Sequence, residues 1–295
     1  MAITGAGGFI GRHLTRELRD RGDRVIAVVR PGSPVGEADG VIEHDLGDVD
    51  GLATQLRAAG VSAVCHLAWV GHPRSAGMDY DTQIVGDVVP SANLGLAAGL
   101  AGVAHVVFVS SGGAVAVARE GPRPAYGWAK LAVEALFAAT SREFGYALTI
   151  LRPTALIGPG QDPTRGLGAV TIFARQILLG EPIRIIGSPA TSRDFLHVAD
   201  LSECIGLVIE RRVAGVFELG GPDVVRLDAL VALLERSLGR RAQVEVVDGT
   251  GIDPTIVKLD NTAINDAIGW TPRRTLAASL PEIVADLATR LGVTT

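Results

Sequence analysis

The chain has 295 residues, 47% hydrophobic and 20% charged, a composition that excludes a disordered or fibrous protein and provides for a large buried core. Its net charge of -5 argues against nucleic acid as the main partner, so we expect a small molecule instead. Cys65 and Cys204 lie in apolar runs without CxxC spacing, which predicts core thiols, a reducing compartment and no metal site.

The N-terminal region begins directly with a glycine motif. No secretory signal is evident and no apolar run reaches about 18 residues, so we expect a cytoplasmic protein with no membrane partner. Only Met1, Ala2 and Ile3 precede Thr4-Gly5, which makes the first strand shorter than the usual five or six residues. We therefore expect the natural chain to begin upstream.

The first half alternates short buried strands with longer helices. The predicted strands are Ala2–Thr4, Arg24–Val29, Val61–Leu67, Val106–Ser110 and Leu148–Leu151. The predicted helices are Arg12–Arg21, Val49–Ala59, Thr82–Ala101 and Ala125–Phe144. This alternation predicts the α/β class, as a Rossmann-like doubly wound parallel sheet that binds ligands beyond the carboxyl ends of its strands.

The second half is richer in turn residues, with many glycines and prolines over 153–168. A helix is predicted over Val170–Leu179, and Ser192–Glu210 is predicted as a strand and helix that return to the sheet. We expect a first domain and a smaller, discontinuous C-terminal lobe. The first domain would comprise 1–160, rejoined by about 192–220, and the lobe 161–191 and 221–295.

A glycine-rich turn follows the first strand, where Thr4-Gly-Ala-Gly-Gly-Phe-Ile-Gly11 places its glycines three apart. Glycine permits a tight turn and lets backbone N–H groups approach a pyrophosphate, which the helix N-terminus stabilises. We interpret this turn as a dinucleotide-binding loop, with a glycine turn that binds nothing as the alternative. The predicted cofactor contacts here are Gly5, Gly8, Phe9, Ile10 and Gly11.

The end of the second strand indicates which dinucleotide is bound. An NAD site usually carries Asp or Glu there for the ribose 2′-hydroxyl, whereas this strand ends at Arg30. A guanidinium binds a 2′-phosphate through bidentate hydrogen bonds, so Arg30 favours NADP; NAD with a solvated arginine is the alternative. Asp45, followed by Leu46, is a candidate for the adenine amine, or else an ordinary turn carboxylate.

Lysine is rare in this chain, and one of the two lysines follows a tyrosine by four residues. Tyr126 and Lys130 are i and i+4 on a predicted helix, so the phenol and the ammonium face the same space. A nearby cation is expected to lower the phenol pKa and to let Tyr126 act as a general acid or base. The alternative is an exposed helix face that carries both residues by chance.

Further motifs occur in a fixed order along nearly the whole chain. They are Thr4-Gly-x-x-Gly-x-x-Gly11, His66-Leu-Ala68, Ser110-Ser111, Tyr126-x-x-x-Lys130, Leu151-Arg-Pro153 with Gly158-Pro-Gly160, Ser192-Arg-Asp-Phe-Leu-His-Val198, and Leu259-Asp260 with Ile268-Gly-Trp-Thr-Pro272. In this order they resemble the extended short-chain dehydrogenase/reductase family, which includes nucleotide-sugar epimerases, dehydratases, decarboxylases and 4-ketoreductases.

The resemblance implies that Ser111, Tyr126 and Lys130 act on a sugar hydroxyl or ketone held against a nicotinamide. Tyr126 would exchange a proton with the reacting oxygen, Lys130 would hold the nicotinamide ribose, and Ser111 would hydrogen-bond the same oxygen. The first domain would bind the cofactor and the lobe the nucleoside-diphosphate sugar. Further implied cofactor contacts are Leu67, Ala68, Trp69, Tyr126, Lys130 and Pro153, and implied substrate contacts are Trp69, Ser111, Ala155 and Arg193.

Several positions depart from the family pattern. Residues 112–116 lack the hydroxyls that usually follow the catalytic serine, and Ala155 replaces a frequent substrate-binding Asn. Another usual Asn, in the helix before the fifth strand, falls near Asp87. Trp69 replaces a small residue at the mouth of the nicotinamide pocket, so we expect an unusual substrate.

Three functions remain open at this point. An NADP(H)-dependent 4-ketoreductase is favoured by Arg30, because NADP usually serves net reduction. The second is an NAD-dependent nucleotide-sugar 4-epimerase, and the third a non-catalytic NAD(P)-binding regulator, which the missing hydroxyls near Ser111 keep open. The resemblance also implies a homodimer packed through two helices per subunit, including the helix that carries Tyr126.

Overall fold

A computed structural model describes residues 1–71, 83–120, 125–166, 168–248 and 256–293, without the side chains of 117–120 and 256–257. The chain divides into two compact units, each discontinuous in sequence. The first unit comprises Met1–Arg152, Ser202–Glu218 and Thr262–Trp270, and the second comprises Pro153–Leu201, Leu219–Asn261 and Thr271–Thr295. The assignment of cofactor binding to one unit and substrate binding to the other stays a prediction.

The elements of the described residues follow in chain order. The strands are β1 Ala2–Thr4, β2 Ile26–Val29, β3 Gly40–Glu43, β4 Ala63–His66, β5 His105–Val109, β6 Ala147–Pro153, β7 Ala155–Ile157, β8 Ile183–Ile186, β9 Ser192–His197, β10 Gly215–Leu219, β11 Val224–Arg226, β12 Val244–Val247 and β13 Ile256–Val257. The α-helices are α1 Phe9–Asp20, α2 Val49–Ala58, α3 Val89–Ala101, α4 Gly112–Glu120, α5 Ala125–Phe144, α6 Ala169–Leu179, α7 Val198–Glu210, α8 Leu227–Leu238, α9 Thr262–Ile268 and α10 Leu276–Leu291. Short π and 3-10 turns occupy Ile84–Val88 and Pro163–Arg165.

A seven-stranded sheet runs in the order β10-β6-β5-β4-β1-β2-β3. The pairs β1–β2, β2–β3, β1–β4, β4–β5 and β5–β6 are all parallel. The strand order reverses between β1 and β4, where a doubly wound sheet opens a crevice for ligands. The predicted Rossmann-like α/β fold is confirmed.

The core of the first unit explains why its strands read as continuous apolar runs. A sheet covered on both faces buries every residue of its central strands, and β1, β2, β4 and β5 are buried along their whole length. Leu52 and Leu56 of α2, Leu94 of α3 and Phe137 of α5 fill one such cluster with them.

A buried polar network fixes α5 against the ends of two strands. The carboxylate of Glu134 accepts a hydrogen bond from the Ser110 hydroxyl at 2.5 Å and two from the Arg152 guanidinium, at 3.0 and 2.5 Å. Both atoms of one carboxylate are thereby paired, as a buried charge requires. Because Glu134 lies one helical turn after Lys130, the network also fixes where Lys130 lies.

The helix predicted over Thr82–Ala101 is divided in the structure. Thr82 lies outside the described residues, Ile84–Val88 forms a π-helical turn, and α3 continues to Ala101. By length and composition, Ile84–Ala101 is apolar enough to cross a membrane, with a mean hydropathy of 1.4 and 39% of it buried. The expectation that no run reaches this length is wrong for this helix, whose buried face packs on α2 and α5 as a core helix does.

The second unit has its own sheets and core. β9 pairs with β7 in parallel, with β11 antiparallel and with β13 in parallel, while β8 pairs with β12. The prediction that Ser192–Glu210 returns to the main sheet is therefore wrong for its strand, β9. β10 joins the main sheet instead, beside β6.

Candidate active site

Several of the predicted site residues gather at one edge of the main sheet. Parallel strands present their carboxyl ends together, so the segments that follow β1, β4 and β5 meet there. Thr4 and His66 are direct neighbours in register. Gly5, Leu67–Trp69 and Ser110–Ser111 follow these strand ends, and all of them belong to the first unit.

In the glycine loop, two glycines have no room for a side chain, and the N-terminus of α1 lies beside them. Gly5 has a positive φ of 71°, and a Cβ there would lie 2.9 Å from the backbone nitrogen of Ala68. A Cβ on Gly11 would overlap the carbonyl oxygen of Gly5. Gly8 is the N-cap of α1, and among the described residues no side chain caps it. N–H groups of the first turn, where Phe9 and Ile10 lie half-buried, can therefore bind an anion.

A hydrogen-bonded chain joins the ends of β1 and β4 to the helical segment before β5. The Thr4 hydroxyl accepts from the backbone N–H groups of Leu67 and Ala68, both at 3.2 Å, and donates to His66 Nδ1 at 2.7 Å. His66 Nε2 then donates to Ser91 Oγ at 2.8 Å. Burial and the charge of Lys130 lower the pKa of His66 to about 3, so this imidazole is neutral and serves to hold the loop.

Ser111 and Tyr126 are brought together by the turn that begins α4. The Ser111 hydroxyl accepts from the backbone N–H of Gly113 at 3.0 Å and is also hydrogen-bonded to the Tyr126 phenol. The segment 112–116, which lacks further hydroxyls, forms the start of α4. A Cβ added at Gly113 would lie in van der Waals contact with both side chains, at 3.4 Å from Ser111 Oγ and 3.5 Å from the Tyr126 ring.

The expected lowering of the Tyr126 pKa is wrong for this arrangement. Burial raises the pKa of Tyr126 to about 12; the Ser111 hydrogen bond lowers it and the charge of Asp87 raises it further. Lys130 Nζ lies 5.8 Å from the centre of the phenol ring. Tyr126 is therefore protonated at neutral pH and has a proton to donate.

Lys130 is buried, with only 4% of its surface exposed. Its ammonium donates to the carbonyl of Val109 at 3.1 Å and lies 3.6 Å from the centre of the Trp69 ring. Burial lowers the pKa of Lys130 to about 7, against the opposing effect of the carboxylates of Asp87 and Glu134. The ammonium is thus held near its point of deprotonation at physiological pH.

Asp87 lies in the π-helical turn and is buried. Its two oxygens accept from the backbone N–H groups of Val70 and Gly71, at 2.6 and 2.8 Å. Burial raises the pKa of Asp87, while these hydrogen bonds and the charge of Lys130 counteract the rise. Sequence reasoning noted Asp87 only as a departure from an Asn and missed this clamp, because a π turn has no period that a sequence reveals.

The predicted adenosine residues follow β2 and β3. Arg30 is exposed, and the turn after it returns to the glycine loop, since a Cβ on Gly7 would lie 2.5 Å from the Pro34 carbonyl oxygen. Asp45 is exposed and one of its oxygens accepts from Gly47 N at 2.8 Å. Leu46 is buried with an unusual positive φ of 67°, which its N–H bond to His44 Nδ1 at 2.9 Å supports.

The remaining predicted residues belong to the second unit. Pro153 ends β6 and is buried, whereas Ala155 begins β7 and is exposed. Arg193 lies half-buried on β9, the strand that pairs with β7, and its guanidinium donates to the Ser192 carbonyl at 2.9 Å.

Comparison with known proteins agrees with this architecture. A family model described as the NAD dependent epimerase/dehydratase family matches residues 1–220. The chain belongs to this family.

Relatives of this family member include enzymes of different reaction types. UDP-glucuronic acid decarboxylase 4 of Arabidopsis thaliana is 26% identical over 99% of this chain and 69% of its own length. UDP-glucose 4-epimerase of Mycolicibacterium smegmatis is 26% identical over 96% of both chains. The solved structure of MoeE5 in complex with UDP-glucose and NAD superposes with a TM-score of 0.87, at 29% identity over 98% of this chain and 99% of MoeE5. The likeness is thus to NAD-dependent nucleotide-sugar enzymes as a group.

The residues of this family member fit a bound dinucleotide. The uncapped N-terminus of α1 can receive a diphosphate, and neither Gly5 nor Gly11 has room for a side chain beside it. Among the described residues, the buried Trp69 Nε1 has no hydrogen-bond partner, so the site retains a polar group for a ligand or for a rearranged side chain.

Proposed function

We propose that this protein is an NAD(P)-dependent oxidoreductase that reduces the 4-keto group of a nucleoside-diphosphate sugar, using Ser111, Tyr126 and Lys130. The observation that carries the proposal is the hydrogen bond between Ser111 and Tyr126 beside the buried Lys130, at the sheet edge where the glycine loop also lies. A proton donor and a cation next to a dinucleotide loop are the groups that carbonyl reduction needs.

The chain's own residues would divide the binding between them. Gly5, Gly8 and Gly11 would receive the diphosphate of the cofactor, which when bound supplies hydride to the carbonyl carbon. Leu67, Ala68 and Trp69 would line the nicotinamide end. Asp45 and Leu46 would bind the adenine, and Pro153 would contribute where β6 ends.

Proton transfer in the direction of reduction follows from the state of Tyr126. Ser111 would donate a hydrogen bond to the substrate carbonyl oxygen, and Tyr126 would give its proton to that oxygen as negative charge develops on it. Lys130 would stabilise the phenolate that remains until a proton returns from water. With a pKa of about 12 the phenol of Tyr126 is protonated at neutral pH, so the donor form that reduction needs is present.

The substrate would be held by its diphosphate. Arg193 is the proposed ligand, since a guanidinium pairs bidentately with phosphate oxygens, and Ala155 on the neighbouring strand would leave room beside the sugar. A nucleoside diphosphate carries enough charge for such a contact to contribute to affinity.

A second candidate is an NAD-dependent 4-epimerase. The observation that favours it is the likeness to UDP-glucose 4-epimerase of Mycolicibacterium smegmatis and to MoeE5, whose structure contains UDP-glucose and NAD. In that reaction Tyr126 would first take the proton of the C4 hydroxyl and later return it, and no cofactor would be consumed.

Substitution of Tyr126 tests the catalytic assignment. Tyr126→Phe should lower kcat by about 10²- to 10⁴-fold because the proton donor is lost, while the dissociation constant of NAD(P)H changes little. Steady-state kinetics and a fluorescence titration of the cofactor measure the two effects. Tyr146→Phe is the matched control: Tyr146 is buried against Thr140, far along the chain from Ser111, and its loss should leave kcat unchanged. A fully active Tyr126→Phe enzyme would refute the assignment.

The same assay separates the candidate functions. With NADPH or NADH and a nucleotide-linked 4-keto sugar, the ketoreductase consumes the reduced cofactor. Interconversion of UDP-sugars with bound NAD and no net loss of reduced cofactor would establish the epimerase instead. Tight cofactor binding with no turnover of either kind would establish a regulator.

Arg30 is proposed to set the preference for NADP over NAD. Arg30→Asp should weaken NADP(H) binding roughly tenfold to a hundredfold more than NAD(H) binding, because a charge-assisted pair with the 2′-phosphate becomes a repulsion. Isothermal titration with both cofactors measures the ratio. Arg16→Asp makes the same charge change on an exposed position of α1 and should leave the ratio unchanged. Equal losses for the two cofactors in Arg30→Asp would contradict the role.

We also propose a homodimer formed through α3, its preceding π turn, and α5. These two helices pack on each other, and their only charged residues over 84–101 and 125–141, namely Asp87, Lys130 and Glu134, are buried. An uncharged apolar face of this kind is typical of an interface between identical subunits. Its exposed apolar side chains are Ile84, Val85, Val89, Leu96, Leu100, Trp128, Leu136 and Phe144.

Light scattering after size exclusion tests the dimer. The wild-type protein should have twice the chain mass, and Leu136→Glu should halve it by placing a charge in the apolar interface. Val41→Glu, on the edge strand β3, puts the same charge on another exposed apolar position and should remain dimeric. A monomeric wild type, or one that floats with lipid vesicles through this face, would contradict the proposal.

A further inference from the structure

The ammonium of Lys130 is a buried charge that lies between aromatic rings. It has three donors, of which one is directed at the Val109 carbonyl at 3.1 Å. A buried ammonium must be compensated by other groups or lose its proton. The groups around Nζ therefore determine whether Lys130 is protonated or neutral at a given pH.

Aromatic faces supply part of that compensation. Nζ lies 3.6 Å from the centre of the Trp69 ring and 4.8 Å from that of Phe108. The face of an aromatic ring is electron-rich and attracts a cation, tryptophan most strongly, and the attraction grows when water is excluded. Trp69 is the nearer ring by more than one ångström, so it is the main aromatic partner.

The position of Trp69 is held by Tyr126 and by the Asp87 carboxylate. It packs edge-on to Tyr126 at 5.9 Å, and the two residues after it are bound by the Asp87 carboxylate through the N–H groups of Val70 and Gly71. A Cβ on Gly71 would lie 2.6 Å from Asp87 Oδ2 and 3.1 Å from Trp69 Nε1, so the clamp requires glycine there. The Ser91 hydroxyl donates to the backbone carbonyl of Asp87 at 2.5 Å, and this bond holds the π-helical turn that carries Asp87.

We propose that Trp69, clamped by Asp87, is a positioning residue that keeps Lys130 charged and in place beneath Tyr126. The duty assigned to Lys130 in the reaction rests on the proposed function, whereas the effect of Trp69 on Lys130 does not.

Among the described residues, other titratable groups around Nζ act together with Trp69. On its own helix these are Tyr126 and Glu134; the π turn contributes Asp87 and β4 contributes His66. His66 is neutral because its pKa is about 3, and Tyr126 is neutral because its pKa is about 12. Asp87 and Glu134 raise the pKa of Lys130, so an effect of Trp69 must be measured with both carboxylates intact.

The chain permits a direct measurement because it has only two lysines, Lys130 and Lys258. Lysine labelled with ¹⁵N at Nζ gives two signals in NMR, which Lys258→Arg assigns. Removal of the ring in Trp69→Leu should lower the titration midpoint of Lys130 by roughly 0.4 to 1.5 pH units, whereas Trp69→Phe should retain most of it. The exposed Lys258 is an internal control whose midpoint should not differ between variants. Equal Lys130 midpoints in wild type and Trp69→Leu would overturn the proposal.

A second measurement preserves the shape of the site should Trp69→Leu fold poorly. Replacing the three tryptophans by difluorotryptophan withdraws electron density from the ring face with little change in volume. The Lys130 midpoint should fall in the wild type but not in Trp69→Phe, where the other two tryptophans carry the fluorine. A fall of the same size in both proteins, or in neither, would contradict the proposal.

Kinetics then connect the titration to catalysis. If Lys130 acts in its charged form, Trp69→Leu should move the pH profile of kcat/KM by the same number of pH units as the NMR midpoint of the free enzyme. A shifted NMR midpoint in an inactive wild type would refute the proposed function alone. An active wild type with an unshifted midpoint would refute the role of Trp69 alone.

Discussion

The arrangement of the site depends on keeping one ammonium inside a dry core. Lys130 carries its charge to the carboxyl edge of a sheet whose central strands are buried throughout, where desolvation lowers its pKa to about 7. A carbonyl, an aromatic face and two carboxylates at a distance offset that cost. The carbonyl of Val109 at the end of β5, Trp69 after β4 and Asp87 in the π turn all lie around the ammonium that α5 carries.

The doubly wound sheet explains how residues distant in sequence come to serve one charge. Since β1, β4 and β5 are parallel neighbours, the glycine loop, the Trp69 segment and Ser111 all emerge at the same edge. Glu134 and Arg152 then hold α5 at the ends of β5 and β6, so that Tyr126 reaches Ser111. The fold thus positions a protonated phenol, a hydroxyl and an ammonium at one edge of the sheet.

Much of this could be predicted from the sequence, for physical reasons that differ between elements. Buried parallel strands and long helices leave strong periodic patterns, so β1 and α5 were predicted to the residue, and an i, i+4 pair on α5 is a local property. The pairing of β9 is non-local and was predicted wrongly. The raised pKa of Tyr126, the Asp87 clamp and the contact of Trp69 with Lys130 depend on burial and tertiary packing, which no local pattern encodes.

We propose that this edge of the sheet binds a nicotinamide dinucleotide against a nucleotide sugar. The most direct measurement is to purify the protein under native conditions, unfold it, and identify the released small molecules by mass spectrometry. The ligand-free, refolded protein is then titrated with NADP(H) and NAD(H). We expect release or saturable binding of one dinucleotide per chain. Gly5→Trp should abolish this binding, because its side chain would fill the glycine loop. No dinucleotide released, and none bound at millimolar concentration, would contradict it.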